Sequence, residues 1–188
     1  MTRPPTGWHF LQLPGPTNVP RRVLEAMARP TVDHRGPDFP ELTREILEGM
    51  RWVFQTEHPV VVYPASGSGG WEAALANTLS PGERVLMFET GAFGLGWADV
   101  ARRFGLDVDL IPGDWRRGVD AALDEEGLAA DKAHRVRAVA VVHNETSTGA
   151  VTHVAPIRAA LDRARHPALL MVDAVSSLAC LEYRHDAW

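Results

Sequence analysis

The sequence predicts an α/β fold, with a mostly parallel sheet between helices on both faces, three layers in all. Three observations lead there. Short β-branched or apolar runs alternate with helical patterns from residue 59 to residue 172. Those runs are apolar on both faces, as in strands buried between layers, where a half-solvated strand would alternate apolar and polar. At 188 residues, with 45% hydrophobic and 23% charged, the chain is long and apolar enough for one sizeable core.

Taken in order, residues 1–20 hold five prolines and two glycines without a period, and read as an irregular N-terminal arm. The remainder, 21–188, reads as a single α/β region. From Asp38 the spacing of Phe39, Leu42, Ile46, Met50 and Val53 fits one helix face, and Asp38 with Glu41 suggests a capping box at its start. Pro59–Tyr63 reads as a buried strand, and Gly70–Leu79 as a helix rich in Ala and Leu. Arg84–Phe88 is the second strand, followed by a helix through Trp97, Val100 and Phe104. Leu106–Ile111 is the third strand, and Gly118–Leu128 is helical. Val136–Val142 is a long apolar strand, Val154–Arg165 a helix, and Ala168–Val172 the last strand.

In such sheets ligands gather beyond the carboxyl ends of the strands. After Tyr63 comes Pro64-Ala65-Ser66-Gly67-Ser68-Gly69-Gly70, where small residues, two hydroxyls and the amides of a helix start offer donors to an anion. The same kind of loop also joins strands to helices in proteins that bind nothing. It is not a dinucleotide fingerprint, because Glu72 stands where the third glycine would fall, nor a P-loop, because Trp71 follows Gly70 in place of lysine. Asp173 follows the last strand; a carboxylate there needs either a positive partner or a role as a cap. His143-Asn144-Glu145-Thr146-Ser147-Thr148-Gly149 follows Val142. Two potential ligands, His143 and Glu145, without further spacing make a weak case for metal, and no metal site is assigned. Phe93, between Gly91 and Gly94, is either a ring that stacks on a flat ligand or part of the core.

The net charge of −5 argues against nucleic acid, and the Arg pairs at 21–22, 102–103 and 116–117 are scattered among acids. No apolar run approaches the roughly 18 residues of a membrane span, and the first residues lack the hydrophobic stretch of a secretory signal. Cys180 stands alone, so no disulfide framework exists within the chain, and it reads as a small buried residue. These features point to the cytoplasm.

In sequence order, several blocks resemble the class V, fold type I pyridoxal-phosphate aminotransferases, most closely the serine–glyoxylate and alanine–glyoxylate group. They are Leu13–Pro20, Asp33–Phe39, Ala65–Leu75, Gly91–Gly94, Asn144–Gly149 and Met171–Leu178, and they cover nearly the whole chain. The resemblance implies that residues 21–188 form the N-terminal part of the cofactor-binding large domain. It implies a cradle for the cofactor phosphate at Ser66, Gly67 and Ser68, a ring at Phe93 stacked on the pyridine, and a hydroxyl at Thr146 near the phenolic oxygen. Asp173 is implied as the partner of the pyridine nitrogen, and Pro14 and Gly15 as part of the substrate pocket; the block around His34 and Arg35 has no assigned role. The implied reaction moves an amino group from a small amino acid (serine or alanine) to glyoxylate or a related 2-oxo acid, in a homodimer. The family's cofactor-bearing lysine is expected about ten residues past Trp188. The only lysine present is Lys132, so the 188 residues alone are expected to be an inactive fragment. Alternatives are a lyase or desulfurase on the same fold, a truncated non-catalytic cofactor-binding module, and a nucleotide binder that fails the loop tests above.

Overall fold

The computed structural model describes Gly7 and residues 10–188, with residues 122–126 described by backbone alone. The other arm residues, 1–6, 8 and 9, lie outside the described residues. Two compact units divide the chain, 1–46 and 47–188.

In the first unit, residues 10–20 form neither helix nor strand. A short helix, α1 (Arg21–Met27), follows. The amides of Val23 and Leu24 bond the Pro20 carbonyl at 2.9 and 3.2 Å, which sets its first turn. Sequence reading passes over this helix because seven residues are too few to establish a helical period. Helix α2 (Asp38–Phe54) begins where expected, but Asp38 is its first residue and so does not cap it, and the unit boundary falls within it, after Ile46. Neither helix has a buried residue.

The second unit carries α3 (Gly67–Thr78), β1 (Arg84–Phe88), α4 (Ala92–Arg103), β2 (Asp107–Ile111), α5 (Ala121–Ala130), β3 (Val136–Val142), α6 (Val154–Ala164) and β4 (Leu169–Asp173). The strands form one parallel sheet in the order β2-β1-β3-β4. Side chains alternate across each strand, so the central strands feed two cores. Val85, Met87, Ala138, Ala140 and Val142 pack with Leu75 of α3 and Trp97, Ala98 and Ala101 of α4. On the other face Leu86, Phe88, Val139 and Val141 pack with Leu128, Ile157 and Leu161 of α5 and α6. The three-layer α/β architecture is therefore as expected. Full burial of each large aliphatic side chain contributes about 1.5–3 kcal/mol, and this two-sided core stabilises the unit.

Three local expectations need correction. Pro59–Tyr63 forms no strand and pairs with none among the described residues; Val61, Val62 and Tyr63 are 68%, 62% and 53% exposed. β-branched, apolar composition favours a strand but does not supply a hydrogen-bonding neighbour. Helix α3 starts at Gly67, three residues before its expected start, because glycines of poor helix propensity form its first turn. Cys180 is exposed, since it lies in the turns that follow β4.

Candidate functional site

Parallel strands end on the same edge of the sheet, and four segments converge there: the start of α3 and the exits from β1, β3 and β4. Asp173, the last residue of β4, is 9% exposed. Its Oδ2 accepts a hydrogen bond from the Trp71 indole at 2.8 Å, and its Oδ1 accepts one from the Val175 amide at 2.9 Å. Both donors are neutral. A buried carboxylate is stabilised by a paired charge, and an ionised carboxylate has lone pairs beyond the two in use.

Asp173 borders a cavity of about 510 Å³ with Gly67, Gly70, Trp71 and Val175. A Cβ at Gly67 would stand 3.0 Å from the Val175 side chain, a tight contact. The N-terminus of α3 thus lies against the turn that leaves Asp173. Ser66 occupies the N-cap position, yet its side chain does not cap the helix; its Oγ lies 2.9 Å from Ser68 Oγ. The first turn of α3 holds no acidic residue. Two hydroxyls and the first amides of the helix stand at this end, with the partial positive charge of the helix behind them, while the Gly69 amide is held by the Ser66 carbonyl at 2.9 Å.

Phe93 is the second residue of α4 and 41% exposed. Its ring meets Trp71 edge-on, with centroids 6.4 Å apart, and Trp71 in turn stacks on Trp97 at 5.9 Å and 11°. What fixes the Phe93 backbone is Glu145, which is fully buried. Its carboxylate accepts the Phe93 and Gly94 amides at 3.3 and 3.0 Å, and the Ser147 amide and hydroxyl at 3.1 and 2.7 Å. A negative group at the N-terminus of α4 satisfies orphan amides and complements the helix dipole. Gly91 makes room for it, since a Cβ there would fall 2.5 Å from Glu145 Cγ.

Thr146 sits between these elements. Its hydroxyl donates to Ser176 Oγ at 2.9 Å; the same oxygen accepts from Asn144 Nδ2 at 2.8 Å and donates to the Asn144 carbonyl at 2.9 Å. The exits of β3 and β4 are thereby tied together. His143 is buried, and its Nδ1 has no hydrogen-bond partner. Burial, and secondly the nearby His153, hold its imidazole below the ordinary histidine range. Neither His143 nor Glu145 is arranged as a metal ligand: one is packed beside Tyr183 and Trp188, the other is occupied by amides. Among the described residues no group of three His, Cys, Asp or Glu can hold a metal ion.

The sequence-derived residues Ser66, Gly67, Ser68, Phe93, Thr146 and Asp173 all lie in the unit 47–188, linked through Trp71, Val175, Glu145 and Ser176. Pro14 and Gly15 belong to the unit 1–46, where both are exposed and the Gly15–Pro16 peptide is cis. Sequence reading missed Trp71 as the donor to Asp173, Glu145 as the cap of α4, and Ser176 as the bridge from Thr146. A glutamate one residue away from the hydroxyl in a strand exit gives no local hint that it caps a helix some fifty positions earlier.

A helix start with two hydroxyls, an aromatic ring and a buried carboxylate thus stand at one edge of the sheet. Serine–glyoxylate aminotransferase of Methylorubrum extorquens is 47% identical over 188 residues, 100% of this chain and 46% of that protein. L-aspartate–glyoxylate aminotransferase of Paracoccus denitrificans is 46% identical over 177 residues, 94% of this chain and 45% of that protein. The crystal structure of the alanine–glyoxylate aminotransferase of Nostoc sp. matches with a TM-score of 0.85 at 35% identity, over 100% of this chain and 49% of that one. The chain therefore spans about half the length of the relatives it matches. The aminotransferase class-V model matches residues 9–184, nearly the whole sequence, and the chain belongs to that family.

Proposed function

We propose that the protein, at its full length, uses pyridoxal 5'-phosphate to transfer an amino group from a small amino acid such as serine or alanine to glyoxylate or a related 2-oxo acid. The observation that carries this reading is the buried Asp173, held by two neutral donors beside the uncapped N-terminus of α3. The glyoxylate aminotransferases among the similar proteins support the choice of acceptor. Bound here, the cofactor would supply an electron sink for a carbanion at the substrate Cα. Ser66, Gly67 and Ser68 would hold its phosphate, and Asp173 would keep its ring nitrogen protonated. Phe93 would cover one face of the ring, and Thr146 would offer its hydroxyl to the phenolic oxygen. Pro14 and Gly15 would contribute to the substrate pocket.

The amine that moves the proton in such a reaction comes from a lysine. Lys132 is the only one in these 188 residues, and it is exposed in the turn before β3. That is the amino end of the strands, a strand length or roughly 20 Å from the edge that carries Asp173. Lys132 therefore does not serve the site. The 188 residues by themselves would form a binding module without turnover, and the working lysine would come from sequence outside them.

In this reading residues 1–20 are an arm, and residues 21–188 are the N-terminal part of the cofactor-binding large domain. The large apolar side chains exposed in the first unit, among them Phe10 at 80% and Met27 at 75%, support burial of that surface in a homodimer. The single cysteine and the lack, among the described residues, of a helix long and apolar enough to cross a membrane are compatible with the cytoplasm.

The test uses the product of the complete reading frame, loaded with pyridoxal phosphate and given glyoxylate with serine, alanine or aspartate. Glycine formation with at least one donor is expected, together with none from the 188-residue chain. Turnover by that shorter chain would remove the argument about Lys132, and no glycine from the complete product with any donor would remove the proposed reaction.

A further inference from the structure

Trp71 is shared by every element of the site that α3, α4 and β4 contribute. It lies on α3 four residues after Gly67, hence on the same helix face as the glycine at the anion cradle. From that face its indole reaches across to Asp173 Oδ2 at 2.8 Å, while its ring is clamped against Trp97 at 5.9 Å and 11° and abuts Phe93 at 6.4 Å. The Val175 amide holds the other carboxylate oxygen, but it belongs to the same chain turn as Asp173 and moves with it. Among the described residues the Trp71 bond alone ties the carboxylate to a different element.

We propose that Trp71 is a positioning residue: its indole N–H fixes the orientation of the Asp173 carboxylate relative to the N-terminus of α3, so that one rigid helix sets both the anion cradle and the acid. This rests on the reading of the site as a pyridoxal-phosphate site. One feature separates it from ordinary core packing. Both tryptophans line the cavity, but only the Trp71 indole N–H is spent on the carboxylate, and Trp71 is only partly buried. Trp97 is 2% exposed, and its indole nitrogen has no partner among the described residues. The stacked pair thus divides the work, Trp97 holding the ring and Trp71 directing the carboxylate.

The test compares the complete gene product with three variants: Trp71→Phe, Trp71 replaced by benzothienylalanine, which keeps the bicyclic ring and removes only the N–H, and Asp173→Asn. Both Trp71 variants are expected to bind pyridoxal phosphate about tenfold more weakly, the size of one hydrogen bond to a charged group. Trp71→Phe should add little in the Asp173→Asn background. In the cofactor-free protein, the Trp71 indole N–H resonance is expected to shift in Asp173→Asn, a signature that loss of packing alone does not give. Unchanged affinity in the benzothienylalanine variant, or losses that add in full, would overturn the positioning role. If the wild type binds no pyridoxal phosphate, the cofactor reading falls and takes this role with it. The indole resonance then still distinguishes a real Trp71–Asp173 bond from none.

Discussion

Glu145 receives four hydrogen bonds on a carboxylate with no exposed surface, and it joins the loop after β3 to the start of α4. Removing it would leave the part-buried Phe93 amide and the buried Gly94 amide without an acceptor, a loss of about 1–3 kcal/mol for a fully buried group. Glu145→Ala is therefore expected to lower the unfolding free energy by about 3 kcal/mol, read from the urea midpoint; a change below about 0.5 kcal/mol would contradict the capping role. Glu145→Gln keeps one acceptor oxygen and is expected to lose less. His143 adds a pH dependence. Its imidazole is held below the ordinary range by burial, so the unfolded chain binds the proton first as pH falls. Stability from this group is complete above the unfolded value of about 6.5 and is lost as pH drops through the lower folded value. A series of urea midpoints at falling pH should show this decline, and His143→Phe should flatten it. At this scale Ser66, Phe93, Thr146 and Asp173 could be picked out as candidates, because each stands at a strand exit or a helix start. The residues that hold them in place, Trp71, Glu145 and Ser176, were not legible, since their partners lie 30 to 102 positions away.

Among the elements, β1, β3 and the long helix α2 could be read from pattern alone, because each is either continuously apolar or periodic over several turns. The stretch Pro59–Tyr63 has the same local character as β1 and yet makes no ladder. Local composition decides whether a segment can be a strand; pairing is decided by what lies beside it. Exposed valines in an unpaired segment of strand-like composition are an aggregation liability. Changing both Val61 and Val62 to lysine is accordingly expected to reduce light scattering by the 188-residue chain several-fold, with its far-UV circular dichroism unchanged. Scattering that does not respond would locate the sticky surface elsewhere.

For the whole molecule, the two-sided core lies entirely within residues 47–188, whereas the helices of the first unit have no buried residue. Residues 47–188 are accordingly expected to unfold in urea in one cooperative transition. A gradual loss of far-UV circular dichroism would mean that the two sides of the core do not unfold together. The overall class was legible because alternation of apolar strands and helices admits few arrangements. The division after Ile46 was not, because it falls inside an uninterrupted helical period.

The register of β4 has one more consequence. Asp173 shares its side of the strand with Met171, which packs toward α3 and α4, while Leu170 and Val172 face α5 and α6. Whether the acid meets Trp71 or the opposite layer is thus a matter of odd or even count from the start of the strand. Loss or gain of a single residue within β4 would send the carboxylate through to the wrong side of the sheet, whereas a change of two would return it. What this strand must keep is therefore the parity of its length, whichever apolar residues fill it.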